Sequence, residues 1–360
     1  MAEDWFVRVQ GKEYGPVDLE TLHEWKAEGR LIPQNEVRND ETAEWLPATQ
    51  FPELFGTERD RPLQSVGIFH RRSFGEIIAE TFQIYARGFL QFFALALFVA
   101  IPTLALQISL AFTSYQEGQP ISSTTRIASV IAIMSVAALL VCWPIFVGGL
   151  QFVAAEIAAG RNARLKEALQ RAVGIWPRIA RLCLVVYGSY FFWTLLPLLL
   201  IATVATTPTI PSILIALLAL GFQVYMAGRL FINFMFWQQS CTIAGLDTVE
   251  SLRESKELAR SRAAARSVER PLWRGAILAS IWVLVLLAVS VAVELPITLV
   301  RLRGITNVED GYAMIQQVMN APRPDWMTLA TYVVSSLVHA ILRPLLGIAF
   351  VVLYFDVRAD

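Results

Sequence analysis

The chain has 360 residues, with 30 basic against 30 acidic side chains for no net charge, 55% hydrophobic residues and only 17% charged ones. A soluble domain carries about 25% charge, so a purely soluble globular protein is excluded, and the balanced charge gives no reason to expect a nucleic-acid partner. Cys142, Cys183 and Cys241 lie in or beside apolar runs without metal-like spacing, which reads as small apolar core residues rather than ligands.

Residues 1–55 differ from the rest in being charged, tryptophan-rich and of mixed period. The start, MAEDWFVRVQ, has neither a basic n-region nor an apolar h-region, so no cleavable signal peptide is expected. DWFVRVQGKEYGPV predicts a β-hairpin, with alternation in WFVRV and a turn at QGKE. DLETLHEWKAEGR predicts a helix with Asp18 as N-cap, Gly29 as stop and Leu19, Leu22 and Trp25 on the buried face. Glu20 falls in the first turn, while Thr21 cannot complete a capping box. NEVRND predicts a further short β element leading into TAEWLPATQFPEL. So small a domain needs large aromatics to supply its burial. Residues 56–72, with their charges and Pro62, read as a linker.

In order and spacing, Trp5, Gly15-Pro16-Val17, Leu22, Trp25 and Gly29 resemble the GYF family of peptide-binding adaptors, in the bacterial variant (GYF domain 2) often joined to membrane segments. The resemblance implies a small α+β domain with a groove for a proline-containing protein segment, held extended as polyproline II against aromatic faces. It implies Trp5, Tyr14, Gly15, Pro16 and Trp25 as the peptide-binding residues. The chain departs from the family at Val7 and Val17, and Gly29-Arg30-Leu31 replaces the motif that names it, removing aromatics from the pocket. Two readings of Trp5 and Trp25 stay open: groove residues, or the core of a tiny domain.

Residues 73–360 hold six apolar runs, approximately 89–113, 127–155, 182–204, 213–237, 277–300 and 329–355. About 20 apolar residues cross the hydrocarbon core as a helix. Lipid offers no hydrogen bonds, so spanning segments are helices or closed barrels, and the runs lack the two-residue alternation of barrel strands. An all-α polytopic domain of six transmembrane helices is expected. Its cationic loops precede run one and separate runs two from three and four from five, while the alternate loops hold few cations. By the positive-inside bias both termini face the cytoplasm, in a cell inner membrane.

The sequence repeats. SFGEIIAETFQIYARGF places Phe74, Ile77, Ile78, Phe82 and Tyr85 on one helical face, and RLKEALQRAVGIWP places Leu165, Ala168, Leu169, Val173 and Trp176 at the same offsets from Glu76 and Glu167. TVESLRESKELAR is a third, degraded copy, with Thr248, Ser251 and Lys256 in apolar positions. Three units follow, about 73–156, 164–238 and 248–357, each an amphipathic elbow helix and two spans, with Pro102, Pro197 and Pro296 in the outgoing spans. Run Ser251 to Arg260 and the closing Tyr354-x-Asp356-x-Arg358 are similar to the membrane domains attached to glycerophosphodiester phosphodiesterases, a resemblance that implies architecture more than activity.

Ionisable residues inside spans are functional candidates. Arg229 and Arg343 fall at a similar depth, about 20–25 Å from the outer side, with Glu156 and Asp356 as candidate carboxylate partners. Glu294 lies near the outer face, and His339 is intermediate. The arginines either pair structurally or snorkel, or they bind an anionic substrate or phosphate-bearing lipid. No catalytic constellation, metal cluster or cofactor motif stands out. The expectation is a non-enzymatic membrane-tethered adaptor or assembly factor; the alternative is a transporter or lipid-handling protein using Arg229 and Arg343.

Overall fold

The computed structural model describes residues 4–9, 12–28, 30–32, 35–39, 45–48, 51, 54, 68–113, 122–205, 209–261, 269–301, 303 and 324–359. The chain divides into two compact units, Met1–Ile68 and Phe69–Asp360.

Among its described residues the first unit is a four-stranded antiparallel sheet with one helix. Strands β1 (Trp5–Val9), β2 (Lys12–Val17), β3 (Glu36–Asn39) and β4 (Leu46–Pro47) lie in the order β2-β1-β3-β4. Alternation along β1 buries Trp5 and Val7 and leaves Phe6 and Arg8 on the other face. Trp5 meets Phe51 edge-on at 5.3 Å, and Leu22, Leu31, Val37 and Leu54 complete the core. The β1–β2 register shifts between Trp5↔Val17 and Val7↔Tyr14, so β2 carries an extra residue around Gly15 and Pro16. A bulge on an edge strand tolerates a proline that cannot donate to the ladder. Gly15 has φ +142°, and a Cβ there would lie 2.6 Å from the Trp5 carbonyl oxygen, so only glycine fits.

Helix α1 (Leu19–Ala27) starts as its sequence predicts. The Asp18 carboxylate accepts the Thr21 N–H at 2.9 Å. The Thr21 hydroxyl and N–H together hold that carboxyl below the usual range. At the other end the Arg30 and Leu31 N–H groups both donate to the Trp25 carbonyl, at 2.8 and 3.0 Å. The expected stop Gly29, turn residues Gln10 and Gly11, and most of the linker expected over 56–72 lie outside the described residues.

The second unit is helical. Among the described residues six helices are long and apolar enough to cross a membrane, and they make this a multi-pass membrane protein. In chain order its helices are α2 (Phe74–Arg87), α3 (Phe89–Ala111), α4 (Ser123–Ala158), α5 (Leu165–Gly174), α6 (Trp176–Ala205), α7 (Ile210–Phe234), α8 (Trp237–Thr242), α9 (Thr248–Arg260), α10 (Pro271–Arg301) and α11 (Trp326–Val357). Helices α3 and α11 are the most buried spans and α10 the least. Without a hydrophobic drive between helices in lipid, close backbone approach supplies the packing. A Cβ on Gly347 would meet Leu150 at 2.6 Å, and one on Gly148 would meet Ile179 at 2.6 Å. These contacts seat α4 against α11 and α6.

The three short amphipathic helices α2, α5 and α9 bury equivalent positions. Counted from Glu76, Glu167 and Glu250, the first and fifth residues onward are buried in each: Ile77 and Thr81, Ala168 and Ala172, Ser251 and Ser255. The broad apolar face expected for α2 and α5 divides, because Phe82 and Val173 stay exposed beside the buried stripe. The serines of α9 are not simple decay of an apolar pattern. The fourth span breaks between α7 and α8, and the Ser255 hydroxyl accepts the freed Phe236 N–H at 2.9 Å. Ser251 donates its hydroxyl to the Leu246 carbonyl at 3.1 Å. Broken backbone in a membrane protein needs such internal partners.

Candidate functional site

On the first unit, the turn from the β2 bulge brings Tyr14, Pro16 and Trp25 into the open. Tyr14 is 44% exposed, Pro16 is exposed and Trp25 is half-buried. Tyr14 and Trp25 meet edge-to-face at 6.4 Å, and the Arg30 guanidinium lies 4.8 Å from the Trp25 ring. Trp5 is different. It is 1% exposed, and its indole N–H has no partner among the described residues. β1 is the inner strand here, so alternation sends Trp5 into the core, and the accessible part of the expected groove is Tyr14, Gly15, Pro16 and Trp25. Sequence reading missed the opposite face, where Arg8 stacks on Trp45 at 4.1 Å. Thirty-six residues lie between the two in the chain, so pairing of strands, not local spacing, brings them together.

At one end of the helical unit, ion pairs tie the short helices to the spans. Asp356 is completely buried. It accepts the Arg72 backbone N–H at 2.6 Å and pairs with Arg274 at 2.9 Å. Arg274 also donates to the Arg72 carbonyl at 2.9 Å, and the Arg72 side chain grips Glu80 through two nitrogens. Arg358 binds Glu254 at 2.7 Å, joining α11 to α9. Glu156, at the end of α4, pairs with Arg161 at 2.8 Å and Arg171 at 2.9 Å. Glu156 and Asp356 are therefore held by cations of this belt, not by Arg229 or Arg343 as their depth suggested. In α2, the Ser73 N–H and hydroxyl hold the Glu76 carboxyl below the usual range.

The intramembrane candidates do not converge. Arg229 is exposed, with one long contact to the Tyr225 hydroxyl at 3.4 Å. Glu294 lies on an exposed face of α10. The His339 Nδ1 stays on its own helix, 2.7 Å from the Ser335 carbonyl oxygen. Arg343 alone lines a cavity of about 400 Å³, walled by residues of α4, α6, α7, α8, α10 and α11 that include Trp143, Tyr190, Trp282 and Phe350. Gln151, Gln238 and Gln239 form a hydrogen-bonded chain at its edge, at 2.9 and 3.2 Å. A wall drawn from six helices leaves no linear signal, which is why only Arg343 was legible beforehand.

Together these features define a multi-pass membrane protein that carries a small α+β domain. The family model for GYF domain 2 matches residues 5–54, the first unit alone. No curated protein and no solved structure matches the chain. The likeness to the membrane domains of glycerophosphodiester phosphodiesterases finds no support in these comparisons, and the residues that suggested it, Ser251, Ser255, Asp356 and Arg358, are occupied in the contacts above.

Proposed function

We propose that the protein is a non-enzymatic, membrane-tethered adaptor or assembly factor, whose first unit takes a proline-containing protein segment on Tyr14, Gly15, Pro16 and Trp25. The carrying observation is the open Tyr14–Trp25 pair beside Pro16, on a domain matched by a family of interaction modules. A preformed polyproline II segment loses little entropy on docking and packs its rings on aromatic faces. In this reading the units run 1–55, 56–72 and 73–360, the last built from three related elbow-and-two-span parts. The cation-rich connections hold both termini at the cytoplasmic face of the inner membrane. The matching buried positions of α2, α5 and α9 support the threefold part. Transport or lipid handling by Arg229 and Arg343 as a pair has no such support, since Arg229 does not line the cavity.

The test is binding of the full chain, in an uncharged detergent, to an array of proline-rich peptides. Tyr14→Ala should weaken the bound peptides about 5- to 30-fold, as expected when an aromatic anchor is removed. Being exposed, the same change should leave unfolding within about 0.5 kcal/mol of wild type. Absence of any bound peptide, or equal binding by Tyr14→Ala, would refute the groove and leave Trp25 a core residue.

A further inference from the structure

The cavity in the helical unit is distinct from the adaptor surface, and its polar groups are unbalanced. Nη1 of Arg343 is buried and has no hydrogen-bond partner among the described residues. The guanidinium lies 5.8 Å from the Trp143 ring centroid, a contact that orients it without neutralising it. Among the described residues no carboxylate lines the cavity. The two carboxylates that depth had suggested are committed elsewhere, Glu156 to Arg161 and Arg171, and Asp356 to Arg274. An arginine does not lose its proton in a protein. A desolvated charge without a counter-ion costs several kcal/mol. The counter-ion is therefore expected from outside the chain.

The other open groups narrow its chemistry. Among the described residues the Trp282 indole N–H is a second buried donor without a partner, and the Gln239 Oε1 is a buried acceptor without one. Two donors and one acceptor suit an anionic head that also carries a hydroxyl or an associated water. Apart from Gln151 and Gln238, which bond to each other and, through Gln151, to Gln239, the rest of the wall is mainly aromatic and aliphatic, and it accepts an apolar body. A volume of about 400 Å³ lies near the lower end of the ~300–1,000 Å³ of small-molecule sites. That is room for one chain or ring system. Arg343 stands roughly midway along α11, with Asp356 about 20 Å further on. The broken α7–α8 span contributes Met235, Gln238 and Gln239 to the wall, and discontinuous helices frequently build midplane sites.

We propose that this cavity binds a single-chain amphiphile whose carboxylate or phosphate pairs with Arg343 while its apolar body packs on Trp143, Tyr190, Trp282 and Phe350. The proposal concerns the helical unit alone, so a failed peptide assay leaves it standing.

The test uses the full chain in uncharged maltoside detergent with cis-parinaric acid as probe, read by energy transfer from tryptophan. Competitors are palmitate, its methyl ester, monododecyl phosphate, inorganic phosphate and a phosphatidylglycerol. Saturable binding is expected, displaced by palmitate or by dodecyl phosphate. Whichever displaces at lower concentration identifies the head as carboxylate or phosphate. The neutral ester should compete about 10-fold less well or worse, as for loss of a charged hydrogen bond. Inorganic phosphate and phosphatidylglycerol should not compete. Arg343→Gln should weaken the probe by about the same factor, with Arg343→Lys intermediate. Equal competition by acid and ester, displacement by phosphatidylglycerol, or wild-type affinity in Arg343→Gln would overturn the proposal. The acid–ester comparison is made on wild-type protein, so it decides the question even if the variant fails to fold.

Discussion

Replacing Asp356 with Asn should lower the unfolding temperature of the helical unit by about 10 °C or more, from ~3–5 kcal/mol for breaking a buried ion pair and ~2–4 °C per kcal/mol. Asp356 has no exposed surface, and Arg274 is nearly buried. Removing the carboxylate charge strands the guanidinium against the Arg72 carbonyl and weakens the acceptor for the Arg72 N–H. The loss reaches beyond one contact, because this belt joins the chain ahead of α2 to the start of α10 and the end of α11. Arg274→Met should cost as much. The double variant Arg274→Met/Asp356→Leu should cost clearly less than the two single changes added, since neither charge is then left alone. Arg229→Leu serves as control. Its side chain is exposed on α7 and has one weak contact, so stability should change by no more than about 0.5 kcal/mol. Thermal unfolding of the purified chain in detergent measures all four. A mild effect of Asp356→Asn would show that the belt does not hold the helices together.

The second large effect is expected from Trp5→Ala. Cutting a buried tryptophan to alanine costs about 3–5 kcal/mol, and a domain of this size starts with about that much stability or little more. Trp5 fills the centre of the sheet–helix core against Phe51. The first unit should therefore unfold at room temperature and be removed rapidly by protease. The unfolding temperature of Phe69–Asp360 should stay within a degree or two, since the chain divides into two compact units there. Persistence of a protease-resistant first unit would mean that Trp5 is not its keystone. Loss of both units together would mean that they fold as one.

The sequence predicted element type well wherever a periodic pattern met a local signal. Asp18 with its following amphipathic nine residues is one case, and the six apolar runs are another. It failed where the decisive relation was angular or long-range. Apolar length gives the depth of a residue in a span but not its direction around the helix, so Arg229 and Arg343 looked equivalent although only one faces the cavity. Counting loop charges treated Arg72 and Arg274 as solvated cations, whereas both are buried, Arg274 against Asp356 and Arg72 against Glu80. The interruption of the fourth span escaped notice because no glycine or proline marks it; the signal sat in α9, in Ser255 and in Ser251, of which only Ser251 stood out as a departure from the repeat. Trp5 and Trp25 belonged to one motif by spacing, but their burial depends on which strand lies inside the sheet, and spacing does not encode that.

The central claim is that six crossings leave the tryptophan-rich first unit on the same side of the membrane as the basic short helices. Its most direct test replaces Cys142, Cys183 and Cys241 with Ser or Ala and introduces single cysteines at Glu13 or Ser123. An impermeant maleimide is then applied to cells before and after permeabilisation. The account predicts that Ser123→Cys labels in intact cells and Glu13→Cys only once the membrane is opened. Labelling of Glu13→Cys from outside, or of both positions from the same side, would contradict it.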